Sequence, residues 1–223
     1  SWKIYRKSSG DAMTDRNEIL RYLGFRGKPA DERTLQAIES CLAELEQAVT
    51  PRSMHRVFPV TFSGGAVAIG GFAVESADLA KHLSGCGEAA LFAATLGARA
   101  DFLLERAAKA DMSRAVVMQA CAAALTESVC DEFQQEIAEE AAKRGLYLRP
   151  RYSPGYGDFP IRYQRDFLKI LECRKIGLSM TENCMLVPTK SVTAVIGLTK
   201  EKTSCHIAKC MECRSADCPF RKE

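Results

Sequence analysis

The chain has 223 residues, 47% of them hydrophobic and 26% charged, and a formal net charge of +3. Those values fit one large globular domain or two small ones, with ample material for a core that needs no covalent staples. The charge is small and its basic residues are interspersed with acidic ones, which argues against a nucleic-acid partner, and no apolar run reaches membrane-spanning length.

The opening segment, residues 1 to 16, is polar and lacks the apolar centre of a secretory signal. Residues 15 to 24 read as a short helix capped by Asp15 and ended by Gly24. Residues 31 to 49 read as a second helix. Leu35, Ile38, Cys41, Leu42 and Leu45 recur at helical spacing, with Glu39, Glu44 and Glu46 on the other side. Residues 54 to 74 are β-branched and aromatic and are broken by Ser63-Gly64-Gly65. That predicts a hairpin, with Pro59 marking an edge or an irregularity. Residues 76 to 84 read as a helix, 88 to 97 as a buried strand ending in a glycine turn, and 98 to 109 as a further helix. Residues 111 to 145 contain no Pro and no Gly before Gly145. They predict one long helix whose first half, apolar on nearly all sides, is buried. Residues 146 to 162 read as a loop, 163 to 172 as helical, and 176 to 187 and 191 to 199 as strands around Pro188. The class is α+β: a mostly antiparallel, twisted sheet with packed helices. A break in composition near Lys200 divides the chain into a domain of residues 1–203 and a Cys-rich tail of residues 204–223.

The segment from Arg149 to Asp158 reads Arg-Pro-Arg-Tyr-Ser-Pro-Gly-Tyr-Gly-Asp. Gly155 and Gly157 let a ligand approach the backbone closely, since neither carries a Cβ. Pro154 pre-sets a turn. Tyr152 and Tyr156 offer flat faces for stacking, and Arg151 offers a fork suited to a carboxylate. The other reading is a surface loop that only joins two elements. Glu127 follows Ala120, Ala123 and Ala124 on one helix face. A carboxylate among such small side chains has room for a cationic partner, or it simply marks the exposed end of a buried stretch. Glu182 reads as an outward-facing residue on a half-solvated strand. Asp158 reads as the cap of the helix that follows it, with Pro160 in the first turn.

The chain has 10 cysteines. Cys41, Cys86, Cys121, Cys130, Cys173 and Cys184 lie scattered, mostly in apolar patterns, and behave as small hydrophobes in a reducing, cytoplasmic setting. Cys205, Cys210, Cys213 and Cys218 crowd into the tail, the middle two as Cys-x-x-Cys. They suit a tetrahedral zinc site or an iron–sulfur cluster, and the competing reading is a reduced, metal-free tail. His206 is a bystander among them. No nucleophile–base–acid triad and no phosphate-binding loop is readable. Gly64-Gly65 and Gly70-Gly71 are turn signals.

The run Arg151-x-Ser-Pro-Gly-Tyr156, followed by Ile176-Gly-Leu-Ser-Met-Thr-Glu-Asn-Cys-Met-Leu-Val-Pro188 and then Ser191-Val192, resembles the activation domain of vitamin B12-dependent methionine synthase. The Gly-Tyr-Gly-Asp variant is similar to short free-standing relatives of that domain. The likeness is strong over residues 149 to about 199, weaker back through 111 to 145, and only general before that. It implies S-adenosylmethionine binding by Glu127, Arg151, Ser153, Gly155, Tyr156 and Gly157, with Thr181 and Glu182 supporting them from behind. It implies a component of a methyltransferase system, with no catalytic side chain of its own. Such a component uses S-adenosylmethionine in the reductive methylation of a cobalamin carried by a methionine synthase or other corrinoid protein. A flavodoxin- or ferredoxin-like protein would supply the electron. The rival expectations are a non-catalytic module that binds S-adenosylmethionine or a corrinoid protein, and a redox protein working through the cysteine tail.

Overall fold

The structure, a computed structural model, describes residues 3–6, 14–25 and 28–201. Local signals start the helices. Asp15 accepts from Asn17 N–H at 2.8 Å and opens α1 (Arg16–Tyr22). Asp31 accepts from Thr34 N–H at 2.7 Å and opens α2 (Glu32–Ala48). Each side chain satisfies a first-turn donor that has no partner within the helix. On α2 the face of Ile38, Cys41, Leu42 and Leu45 is buried, whereas Leu35, one turn earlier, is 42% exposed.

Antiparallel strands build the sheet. β1 (Lys3–Arg6) and β5 (Glu88–Thr95) flank the first half of β2 (Arg52–Ser63). Beyond Pro59, β2 leaves β5 and pairs instead with β3 (Ala66–Ile69), which turns at Gly70-Gly71 into β4 (Phe72–Glu75). Pro59 thus stands where β2 changes partners, an irregularity that suits a residue with no N–H. On the far side of β5 lie β9 (Ser191–Thr199) and then β6 (Tyr147–Leu148), giving the order β4-β3-β2-β5-β9-β6.

Alternate residues of β5 feed two cores, as a period of two requires. Ala90, Phe92 and Ala94 face a cluster with α1, α2, α4 (Ala98–Ala110) and α5 (Met112–Ala142). Ala89, Leu91 and Ala93 face a second cluster with α3 (Ala77–His82) and α6 (Gln164–Ile170). Burial on both faces explains why β5 is a continuous apolar run. Asp111 caps α5 through Ser113 N–H at 2.8 Å. The helix is buried through most of its length, though Met112 and Val116 at its start are 68% and 55% exposed.

Two expectations are corrected. Residues 176–187 are not one strand. A 3-10 turn at Cys173–Ile176 leads to a small separate hairpin of β7 (Ser179–Met180) and β8 (Leu186–Val187). Ile176 and Leu178 are buried because they anchor this turn in the second core, and burial gives the same apolar signal as a strand. The segment 146–162 is not wholly loop either, since it contains β6 and continues as an irregular partner of β9. Arg149 N–H donates to Gly197 O at 2.8 Å, and Tyr152 exchanges bonds of 2.9 and 2.8 Å with Val195. No helix among the described residues is long and apolar enough to cross a membrane.

Candidate functional site

Residues 149–158 leave the edge of β9 and fold back in two successive tight turns. Gly155 N–H donates to Phe159 O at 2.7 Å, and Phe159 N–H donates to Tyr156 O at 3.0 Å. Gly155 and Gly157 take φ of +99° and +53°, a region that costs any residue with a Cβ. At Gly157 a Cβ would also collide with the Asp78 carboxylate and lie 2.6 Å from the Tyr152 hydroxyl. These glycines therefore shape the loop from behind, and the side chains on either side of them do the facing.

Helix α3 brackets the loop at both ends. Asp158 accepts from Ala77 N–H at 2.7 Å, from Asp78 N–H at 3.2 Å and from the Ser76 hydroxyl. Its own N–H donates to the Asp78 carboxylate at 3.2 Å. The expected cap of the following helix is not formed: the 3-10 turn at Ile161–Tyr163 has no side-chain cap, and Asp158 instead supports Ser76, the N-cap of α3, by taking two further first-turn N–H groups about eighty residues earlier in the chain. The Ser76 hydroxyl, then the two N–H groups, hold the Asp158 carboxyl below the usual carboxylate range. At the other end, His82 Nε2 donates to Pro150 O at 2.9 Å. The Tyr152 ring stacks between His82, at 5.0 Å, and Phe159, at 6.3 Å. Tyr152 is thus committed to holding the loop, and it is Tyr156, 67% exposed, that offers an open face.

Arg151 points from the loop onto α5. Its Nη2 donates to Glu127 Oε2 at 2.9 Å, and its Nη1 to Asp131 Oδ1 at 2.8 Å and Gln134 Oε1 at 2.9 Å. Glu127, Asp131 and Gln134 are spaced four and three residues apart and so share one helix face. The Arg151 side chain is only 16% exposed, while those of Glu127 and Asp131 are 47% and 68% exposed. Burial works against the guanidinium's charge, and its anionic neighbours more than offset this, so its proton affinity is raised. Cys130 beside it is pushed up to about 12 by burial and is neutral at physiological pH, which leaves Asp131 and Glu127 as the charges that matter.

These side chains line a cleft of about 880 Å³ between α1, α5 and the 147–156 segment. Glu127, Arg151, Ser153 and Tyr156 are on its wall, with Asp15, Glu18, Arg21 and Tyr22 contributed by α1 and its cap. Burial raises the Tyr22 phenol above its ordinary range, with Glu127 and Glu18 adding to it. Asp15, Glu18, Glu127 and Asp131 outweigh Arg21 and Arg151, so the cleft carries an excess of negative charge. The volume is ordinary for a small-molecule site. Sequence reasoning missed the whole α1 wall, which no local pattern announces. It also missed Asp131 and Gln134, although their spacing from Glu127 was a readable signal.

Thr181 and Glu182 are not brought to this cleft. They sit in the turn between β7 and β8, where Thr181 Oγ1 accepts from Met185 N–H at 3.1 Å, and they line a different cavity. Cys205, His206, Cys210, Cys213 and Cys218 lie outside the described residues. Among the described residues no cluster of His, Cys, Asp or Glu is arranged to hold a metal ion. Cys41, Cys86, Cys121, Cys130 and Cys173 are buried free thiols.

The sequence profile of one family, the activation domain of vitamin B12-dependent methionine synthase, matches residues 76–223, well over half of the chain. Among solved structures the fold is similar to the crystal structure of the MetH reactivation domain bound to AdoHcy. The TM-score is 0.67 at 17% sequence identity, covering 91% of this chain and 80% of that one. At that identity the likeness speaks to the fold. No curated protein sequence matches significantly.

Proposed function

Because the chain belongs to the activation-domain family of vitamin B12-dependent methionine synthase, we propose that it binds S-adenosylmethionine in the cleft between α1, α5 and the 149–157 loop. One observation carries this reading. Of the six residues that the family resemblance nominates for that ligand, Glu127, Arg151, Ser153 and Tyr156 line a single cleft of about 880 Å³, and Gly155 and Gly157 shape the loop behind them. The chemistry of the wall suits the ligand. S-adenosylmethionine carries a sulfonium, an ammonium and one carboxylate, and so is a net cation, which matches the cleft's excess of carboxylates. Arg151 would take the ligand carboxylate with its fork. Glu127 would face the cationic groups. Tyr156 would present its ring to the adenine, with the backbone of residues 153–155 along the nucleoside.

The ligand supplies an electrophilic methyl group, and this chain would bind and aim it toward the corrinoid of a methionine synthase or related partner. That partner would be reduced by a flavodoxin- or ferredoxin-like donor. Positioning alone accelerates such a transfer, so no nucleophile from this chain is required. The test is calorimetric titration of the full chain with S-adenosylmethionine and with S-adenosylhomocysteine. Saturable one-site binding of both is expected, with the sulfonium form bound more tightly at low salt. Absence of heat and of competition for both ligands would overturn the reading.

A further inference from the structure

A second cavity, of about 680 Å³, opens between α6, the 3-10 turn at Cys173–Ile176 and the β7–β8 hairpin. Its chemistry is the reverse of the first cleft. The floor is apolar: Leu178 is fully buried, and Leu168 packs against the second core beside it. The rim is basic. Arg165 and Lys169 lie four residues apart on α6 and so project from one side of that helix. Arg174 joins them from the 3-10 turn.

These three cations make no ion pair or hydrogen bond with any side chain among the described residues, in contrast to Lys175, which is paired with Glu172. Glu182, in the β7–β8 turn, is then the one acid of the rim with no such neutralising partner. Positive charge is thus in excess, and it is concentrated on the α6 side. Long cationic side chains around an apolar floor have two ways to be satisfied, by bulk water or by an anion that brings its own apolar body.

We propose that this cavity is a binding site for a small organic anion, a carboxylate, sulfonate or phosphate ester with a hydrocarbon or aromatic body. The acidic head meets Arg165, Lys169 and Arg174. The body lies on Leu168, Leu178 and Met180. The volume is that of a drug-sized ligand site. The head group is expected at the α6 side, away from Glu182. The site is separate from the Arg151 cleft, shares no lining residue with it, and does not depend on what that cleft binds.

The test uses two fluorescent probes on the full chain, the anionic 8-anilinonaphthalene-1-sulfonate and the neutral N-phenyl-1-naphthylamine. The anionic dye should bind saturably, and S-adenosylmethionine should not displace it. The double variant Arg165→Glu/Lys169→Glu reverses exposed charges without touching the core. It should weaken the sulfonate dye by about tenfold or more, and the neutral dye by less than about twofold. Met180→Asp should weaken both dyes, since it puts a charge on the apolar floor. Lack of saturable binding of the anionic dye overturns the proposal. So does equal weakening of the two dyes by the charge reversal, or displacement by S-adenosylmethionine.

Discussion

Arg151 and Glu127 meet at 2.9 Å across the mouth of the cleft, one from a loop and the other from the middle of α5. That pair helps fix the Arg151 rotamer, so in the proposed complex the ligand carboxylate would meet a guanidinium already in place. It must share that guanidinium with Glu127, Asp131 and Gln134. The most solvated of the three, Asp131, is the one cheapest to release to water.

Arg151→Ala should weaken S-adenosylmethionine by about 1.5–3 kcal/mol, roughly ten- to a hundred-fold, because a charge-assisted bond to the ligand carboxylate is lost. Arg151→Lys should fall between, since it keeps the charge but not the fork. Calorimetric titration of variants with unchanged circular dichroism checks this. Wild-type affinity in Arg151→Ala would remove Arg151 from the site.

Glu127→Gln should penalise the cationic ligand more than its neutral demethylated product. The Glu127 carboxylate is about half exposed, so solvent screening limits the difference to about 0.5–1 kcal/mol. Parallel titrations with S-adenosylmethionine and S-adenosylhomocysteine give the difference directly. Equal losses would put Glu127 at the amino group that the two ligands share.

Asp158→Asn should lower stability at neutral pH and matter progressively less in acid. The folded protein holds this carboxyl below its ordinary pKa, chiefly through the Ser76 hydroxyl and then through two N–H groups of α3. Its contribution is therefore complete above the unfolded value of about 3.9 and is lost as pH falls through the lower folded value. Urea melts of both proteins at about pH 6 and about pH 3 should show a gap that closes in acid. A gap that widened would mean that Asp158 does not act through its charge.

The cysteine tail should carry metal in anaerobically purified protein. Lys209, Glu212, Arg214 and Asp217 surround the four thiols in sequence, which is unlike a core segment. Brown absorption would identify an iron–sulfur cluster, and a colourless protein with stoichiometric zinc a structural site. Since ligation needs thiolates, metal should be lost as pH falls. Deleting residues 204–223 should leave S-adenosylmethionine binding intact. Metal-free protein never exposed to air or chelator would exclude the site.

What the sequence made legible follows the range of each signal. The cap at Asp15 and the uninterrupted apolar run of β5 act locally and could be read locally, and the same local signal at Asp31 and Asp111 was there to be read but went unread. Residues 176–187 could not, because Ile176 and Leu178 are apolar as anchors of a turn, and an anchor leaves the same trace as a strand. The helix that Asp158 supports lies far back in the chain, so the nearest helix was the wrong one. In the cleft, the loop and Glu127 were nominated in advance by resemblance, whereas the α1 wall arises only from packing of distant segments.

The bracket formed by α3 bears on how this fold can be divided. A fragment cut after Leu83 would retain Glu127, Arg151, Ser153, Gly155, Tyr156 and Gly157. It would lose Ser76, Ala77, Asp78 and His82, and with them both anchors of the segment that presents those residues. The segment matched by the family profile begins at Ser76. The loop is therefore held by a helix that contributes nothing to the cleft wall, and grafting the loop without that helix would transfer the residues but not their arrangement.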